Sequence, residues 1–136
     1  MKNEHHRAKA EAIERSLAKC TVEDYEIVIE GAMLAGTHWF NILLHRHGLR
    51  PFDRDAMHAE FIAPDEKREV LAVIPEALQA LKDIECCRTP YVRGDMPGGQ
   101  QAAERAFECL RRLRNQARSK SSSPKEPDPH ATGSPY

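Results

Sequence analysis

Residues 22–48 read VEDYEIVIEGAMLAGTHWFNILLHRHG, and their apolar positions decide the fold. Val22, Tyr25, Ile29, Ala32, Ala35, Trp39 and Ile42 recur every three or four residues, the spacing of one face of an α-helix. Val28, Met33, Phe40, Leu43 and Leu44 widen that stripe well beyond one face. A helix this apolar must be covered on two sides. Thr21 ahead of it can cap its first turn, with Asp24 reaching back as a short capping box. Gly48 is a natural stop, and Pro51 prevents continuation. Glu30, His38 and Asn41 lie inside the apolar run and are each costly in hydrocarbon, so a buried helix is expected and not a membrane span.

Outward from this helix, helical spacing recurs in three more places and no convincing period-two strand is found. Residues 4–19 place Ile13, Leu17 and Cys20 on one stripe. Pro64 followed by Asp65 and Glu66 marks a helix start, because Pro fits the first turn and the acids oppose the positive end of the helix dipole. That third helix continues through Val70, Leu71, Ile74, Leu78, Leu81 and Ile84, with Pro75 expected to kink it or split it in two. Residues 99–118 form a fourth, with Ala103, Phe107, Leu110, Leu113 and Ala117 inward. The expectation is an all-α, antiparallel up-and-down four-helix bundle over residues 1–118. Residues 119–136, SKSSSPKEPDPHATGSPY, hold four of the nine prolines and almost nothing apolar, so a disordered tail is expected there.

The chain has 136 residues, 40% of them apolar, which suits one domain with a real core. Lys and Arg number 20 against 21 Asp and Glu, so no global charge commits it to nucleic acid, a membrane surface or an acidic substrate. Residues 102–120 are locally basic, with Arg105, Arg111, Arg112, Arg114, Arg118 and Lys120 against Glu104 and Glu108. Cations at a helix C-terminus complement its dipole, and a strip facing RNA or a partner is the alternative. Cys20, Cys86, Cys87 and Cys109 form no C-x-x-C pair and read as reduced thiols. The charged first residues carry no signal-peptide pattern, so a cytoplasmic protein is expected.

Seven histidines are the richest chemical feature. His38 and His45 are two helical turns apart, and Glu30 precedes His38 by eight residues, so Glu30, His38 and His45 form a candidate metal set on one side of the second helix. The spacing leaves about 10 Å of rise between the imidazoles, so one ion would need ligands from other helices. The competing reading is polar groups satisfying one another. His45 and His47, with Arg46 and Arg50, also suit the negative end of the helix dipole. His5 and His6 are expected at the surface of a frayed N-terminus, and His58 lies in an inter-helix loop, where functional groups often project. The loop from Arg88 to Gly99 joins Arg88, Tyr91 and Arg93 to a Gly-rich helix start, which is a candidate phosphate cradle. A plain turn, with Arg88 pairing Glu85 or Glu30, is the alternative. Cys86 and Cys87 have no identifiable His–Asp partner, and no cofactor is expected.

The order of these pieces resembles the HEPN family (higher eukaryotes and prokaryotes nucleotide-binding). DYEIVIEGAMLAGTHWFNILLHRHG followed by RPFDRDAMHAEF is similar to that family's small-residue and aromatic helix, ending in Gly, with His58 in the place of a conspicuous loop histidine. IECCRTPYVRGDMPGGQQAAERAFECLRRLRNQAR is similar to its closing segment, with Arg88 and Tyr91 near an Arg and a Tyr of the family pattern. The resemblance implies a four-helix bundle that dimerises and binds nucleotide or RNA, with Arg88, Tyr91, Arg93 and His58 as contacts. It also implies a minimal nucleotidyltransferase as a possible partner, in a toxin–antitoxin module. The family's ribonuclease motif sets a His after an Arg with four to six residues between them, whereas after Arg88 those places are held by Arg93, Gly94 and Asp95, so ribonuclease activity is not expected. Homodimerisation is expected through the wide apolar surface of the second helix, and the alternatives to nucleotide binding are the metal site and a purely structural assembly role.

Overall fold

The computed structural model describes residues 1–59 and 62–119, so the expected tail lies outside the described residues apart from Ser119. The chain is all-α, with no strand among the described residues. The first helix is α1 (Asn3–Leu17), and a 3₁₀ turn (Val22–Asp24) leads into α2 (Tyr25–Arg46). A long loop reaches α3 (Pro64–Val73), then α4 (Pro75–Cys86), a π-helical turn (Arg88–Arg93) and α5 (Gly99–Arg118).

The helix boundaries follow local chemistry. The Thr21 hydroxyl accepts from the Glu23 N–H at 3.2 Å and the Asp24 carboxylate accepts from the Thr21 N–H at 2.9 Å, the predicted capping box. Gly48, at φ +68, takes the left-handed turn after α2 that other residues adopt only with strain. Pro75 divides the expected third helix: Ile74 sits at φ −133, ψ 59, outside the helical region that a following proline disfavours. Among the described residues there are therefore five α-helices, where the sequence spacing predicts four.

Helix α2 is the hub, packing against α1, α4, α5 and the π-helical turn. Trp39, Phe40, Leu43 and Leu44 are fully enclosed, so the residues that widen its stripe are covered mostly by the chain's own helices; Ile27 and Leu34 stay exposed. The segment Val22–Arg46 has the length and hydropathy to cross a membrane, and 67% of its most apolar window is buried inside the protein. On α1 the buried stripe is His6, Ala10 and Leu17, which corrects the surface position read for His6.

The basic strip of α5 is paired within the chain. Arg114 donates to Glu14, which also accepts from the Trp39 indole N–H, both at 2.7 Å. Arg118 donates to Glu11, while Arg111 and Arg112 donate to Glu108. Arg46, at the end of α2, donates to the carbonyls of Ala117 and Ser119 and so caps α5.

Candidate metal centre

Three elements converge at one end of α2. His38, Asn41 and His45 are spaced three and four residues apart and share a face of the helix. That face meets His6 of α1 and the loop that follows α2. Asn41, 1% exposed, fixes the loop: its Nδ2 donates to the Ala56 carbonyl at 2.8 Å and to the Thr37 carbonyl at 2.9 Å, and its Oδ1 accepts from the Ala56 N–H at 2.7 Å. Asp55 is thereby set against both buried imidazoles. The loop is tied to α3 by Arg50, whose guanidinium grips both oxygens of Glu66 at 2.6 and 2.8 Å.

Asp55 Oδ1 lies 3.0 Å from His6 Nε2 and 2.8 Å from His45 Nε2. The Met1 amine is 3.2 Å from Asp55 Oδ2. The far nitrogens are also engaged: His45 Nδ1 is 2.9 Å from the Arg50 carbonyl oxygen, and His6 Nδ1 is 2.9 Å from His38 Nδ1. His6 and His45 stack with ring centroids 5.4 Å apart, and the Phe52 ring packs edge-on to His45.

Proton counting separates the two imidazoles. Neutral His6 satisfies both contacts, donating from Nε2 to Asp55 and accepting at Nδ1 from His38. His45 faces a carbonyl on one side and a carboxylate on the other, and both only accept. A neutral ring has one N–H, so a second positive centre must sit on Nε2, either a proton or a metal ion. Burial pushes the His6 pKa down against the pull of Asp55, and burial with the neighbouring His6 pushes His38 down. Burial raises the Asp55 carboxyl, but hydrogen bonds from His45, His6 and the Met1 amine outweigh it and hold Asp55 below its ordinary value.

His6, His45 and Asp55 offer ligand atoms within 4.8 Å of one another, close enough for one ion at about 2.0–2.2 Å from each after small rotations. The arrangement is that of a metal-ligating histidine, whose second nitrogen is held by a carbonyl or another polar group that orients the ring. Two imidazoles and a carboxylate leave coordination positions for an outside group. His6, Asp55 and His38 line a cleft of about 330 Å³, which gives solvent a path to the His6–Asp55 side, whereas His45 lies outside that lining with the Phe52 ring edge-on to it.

The candidate residues from the sequence distribute as follows. His45 is in the centre and His38 supports it through His6. Glu30 is drawn away, accepting from Arg88 Nε at 2.8 Å and from its NH2 at 3.3 Å. His58 Nδ1 is 3.3 Å from Glu85, which also accepts from the Ala59 N–H. Glu30, His58 and Arg88 line the same cleft as Asp55. Tyr91 lines a separate, more open groove with Cys87, Arg105 and Arg112, and hydrogen-bonds Arg105. Arg93 ends the π-helical turn. At the Gly-rich start of α5, Tyr25 and Tyr91 pack against Gly99 and Gly98. The Cys87 and Cys109 thiols are pushed up by burial, away from nucleophilic character.

His6 and Asp55 were missed as members of the site. The only signal for His6 was its register with Ala10 and Leu17 on the buried stripe of α1, and Asp55 lies in a loop where periodicity says nothing. Comparison with protein families, curated proteins and solved structures gives no match for this chain.

Proposed function

We propose that this chain is a metal-binding helical protein that holds one divalent transition-metal ion on His6, His45 and Asp55, in a four-helix-type bundle with α3 and α4 as one broken helix. The observation that carries this reading is the convergence of His6, His45 and Asp55, whose ligand atoms lie within 4.8 Å of one another, with His45 Nδ1 held by the Arg50 carbonyl so that Nε2 faces the shared point. Two neutral imidazoles and a carboxylate suit zinc, iron(II), cobalt or nickel. Access through the cleft makes the ion a place where an outside ligand binds, which suits a catalytic or sensing role more than a purely structural one.

The test is a cobalt(II) absorption titration of the untagged chain. One equivalent should give visible d–d bands, and His45→Ala and Asp55→Asn should each weaken binding by about tenfold or more. Absence of one-equivalent binding, or binding indifferent to both substitutions, would contradict the assignment.

A second reading keeps the HEPN-like nucleotide or RNA contacts. It is favoured by Arg88 and His58 lining the cleft beside Asp55. An ion on Asp55 and a guanidinium in one chamber would together suit phosphate. An Arg88→Ala variant that binds mononucleotide as well as the parent chain would set this reading aside.

A further inference from the structure

We infer that the cleft beside Asp55 receives a small anionic ligand with a short apolar body, of the carboxylate class, whose carboxylate meets the ion on His6, His45 and Asp55. This rests on the metal reading above and concerns the group that completes the site. Charge gives the first argument. A divalent ion held by two neutral imidazoles and one carboxylate keeps a positive charge, and the Met1 ammonium beside Asp55 adds to it. The other charged side chains lining the cleft are Glu30 and Arg88, which neutralise each other as a pair. An anion offsets this positive chamber, and a neutral or cationic ligand does not.

Shape gives the second argument. At about 330 Å³ the cleft is near the lower limit for small-molecule pockets, and the apolar part of its wall is Met33, Leu34, Ala56 and Met57, with Thr37 and Asn41 beside them. Leu34 and Met57 are 58% and 69% exposed, large apolar side chains of the cleft wall that are only partly buried. Glu30 lies eight residues before His38 on α2, so about 12 Å of helix separates the Glu30–Arg88 pair from the histidines, room for a short acyl chain.

The experiment uses the full chain loaded with cobalt(II) and titrates acetate, butanoate and hexanoate, with 1-hexanol and hexylamine as charge controls. Carboxylates should shift the d–d bands, with hexanoate binding about tenfold tighter than acetate as its methylenes leave water. Leu34→Ser and Met57→Ser, both at exposed positions, should flatten that dependence on chain length while leaving acetate binding in place. Retained cobalt with bands indifferent to carboxylates would overturn this inference and leave the metal reading standing. Hexylamine or hexanol binding as tightly as hexanoate would overturn the charge argument, and equal affinity for acetate and hexanoate would overturn the apolar wall. A chain that takes up no cobalt would overturn the metal reading and this inference with it.

Discussion

Asn41 sets the position of Asp55 without touching it. Its carboxamide spends its donors and its acceptor on the backbone of Ala56 and Thr37, so the residue next to the carboxylate cannot drift from α2. Asn41→Ala would leave the buried N–H and C=O of Ala56 unpaired, at a cost of about 1–3 kcal/mol in urea unfolding. It should also weaken cobalt binding by about tenfold with every ligand intact. A variant destabilised to that extent but with unchanged affinity would show that Asp55 is held by other contacts. The Arg50–Glu66 pair acts at the far end of the same loop. Hydrogen bonds from Arg50 hold Glu66 below its ordinary carboxyl value of 4.5, against the opposing effect of burial. A depressed folded-state pKa contributes stability above the unfolded value, lost as pH falls through the folded one. Glu66→Gln should therefore cost about 1 kcal/mol at neutral pH and nothing in strong acid, as read from unfolding curves at both conditions. An equal cost at both would mean that shape, not charge, makes the contact.

The helices impose limits of their own. At the start of α5 a Cβ on Gly99 would lie 2.5 Å from the Tyr25 ring, so α5 can approach the beginning of α2 only with glycine there. Gly99→Ala should cost about 1–3 kcal/mol by overpacking, and Tyr25→Leu in the same chain should recover part of it in thermal melts. Elements of this kind were legible in the sequence. The Thr21 cap, the start at Pro64 and the limits of α5 all follow from short-range chemistry that a chain carries locally. The break at Pro75 was open between a kink and a division, because the choice depends on whether α3 and α4 must pack in different directions. The candidate site was far less legible. His45 and His38 showed their common face by spacing, but their partners are a histidine on α1 and an aspartate in a loop. Only tertiary packing brings those together, and Glu30, sharing the helix side by spacing, is taken by Arg88 from the π-helical turn.

At the scale of the molecule, α2 holds both the core and the site. Its apolar sides are packed by α1, α4 and α5, and its remaining side carries Glu30, Leu34 and His38 into the cleft. Pairing of Arg114 with Glu14 and Arg118 with Glu11 ties α5 to α1, so these two basic residues serve cohesion between helices. Because α1 supplies His6 and α2 supplies His45, an ion joining them would bind the folded chain and not the unfolded one. Zinc at a hundredfold excess over its dissociation constant should raise stability by about 2.7 kcal/mol, and Asp55→Asn should cut that rise by about half or more in a calorimetric scan. The most direct measurement is an anomalous difference map from a zinc-loaded crystal, recorded on either side of the zinc edge. The account predicts one strong peak within about 2.0–2.2 Å of His6 Nε2, His45 Nε2 and an Asp55 carboxylate oxygen. A map with no peak there, in a crystal whose zinc sits elsewhere or is absent, would contradict it.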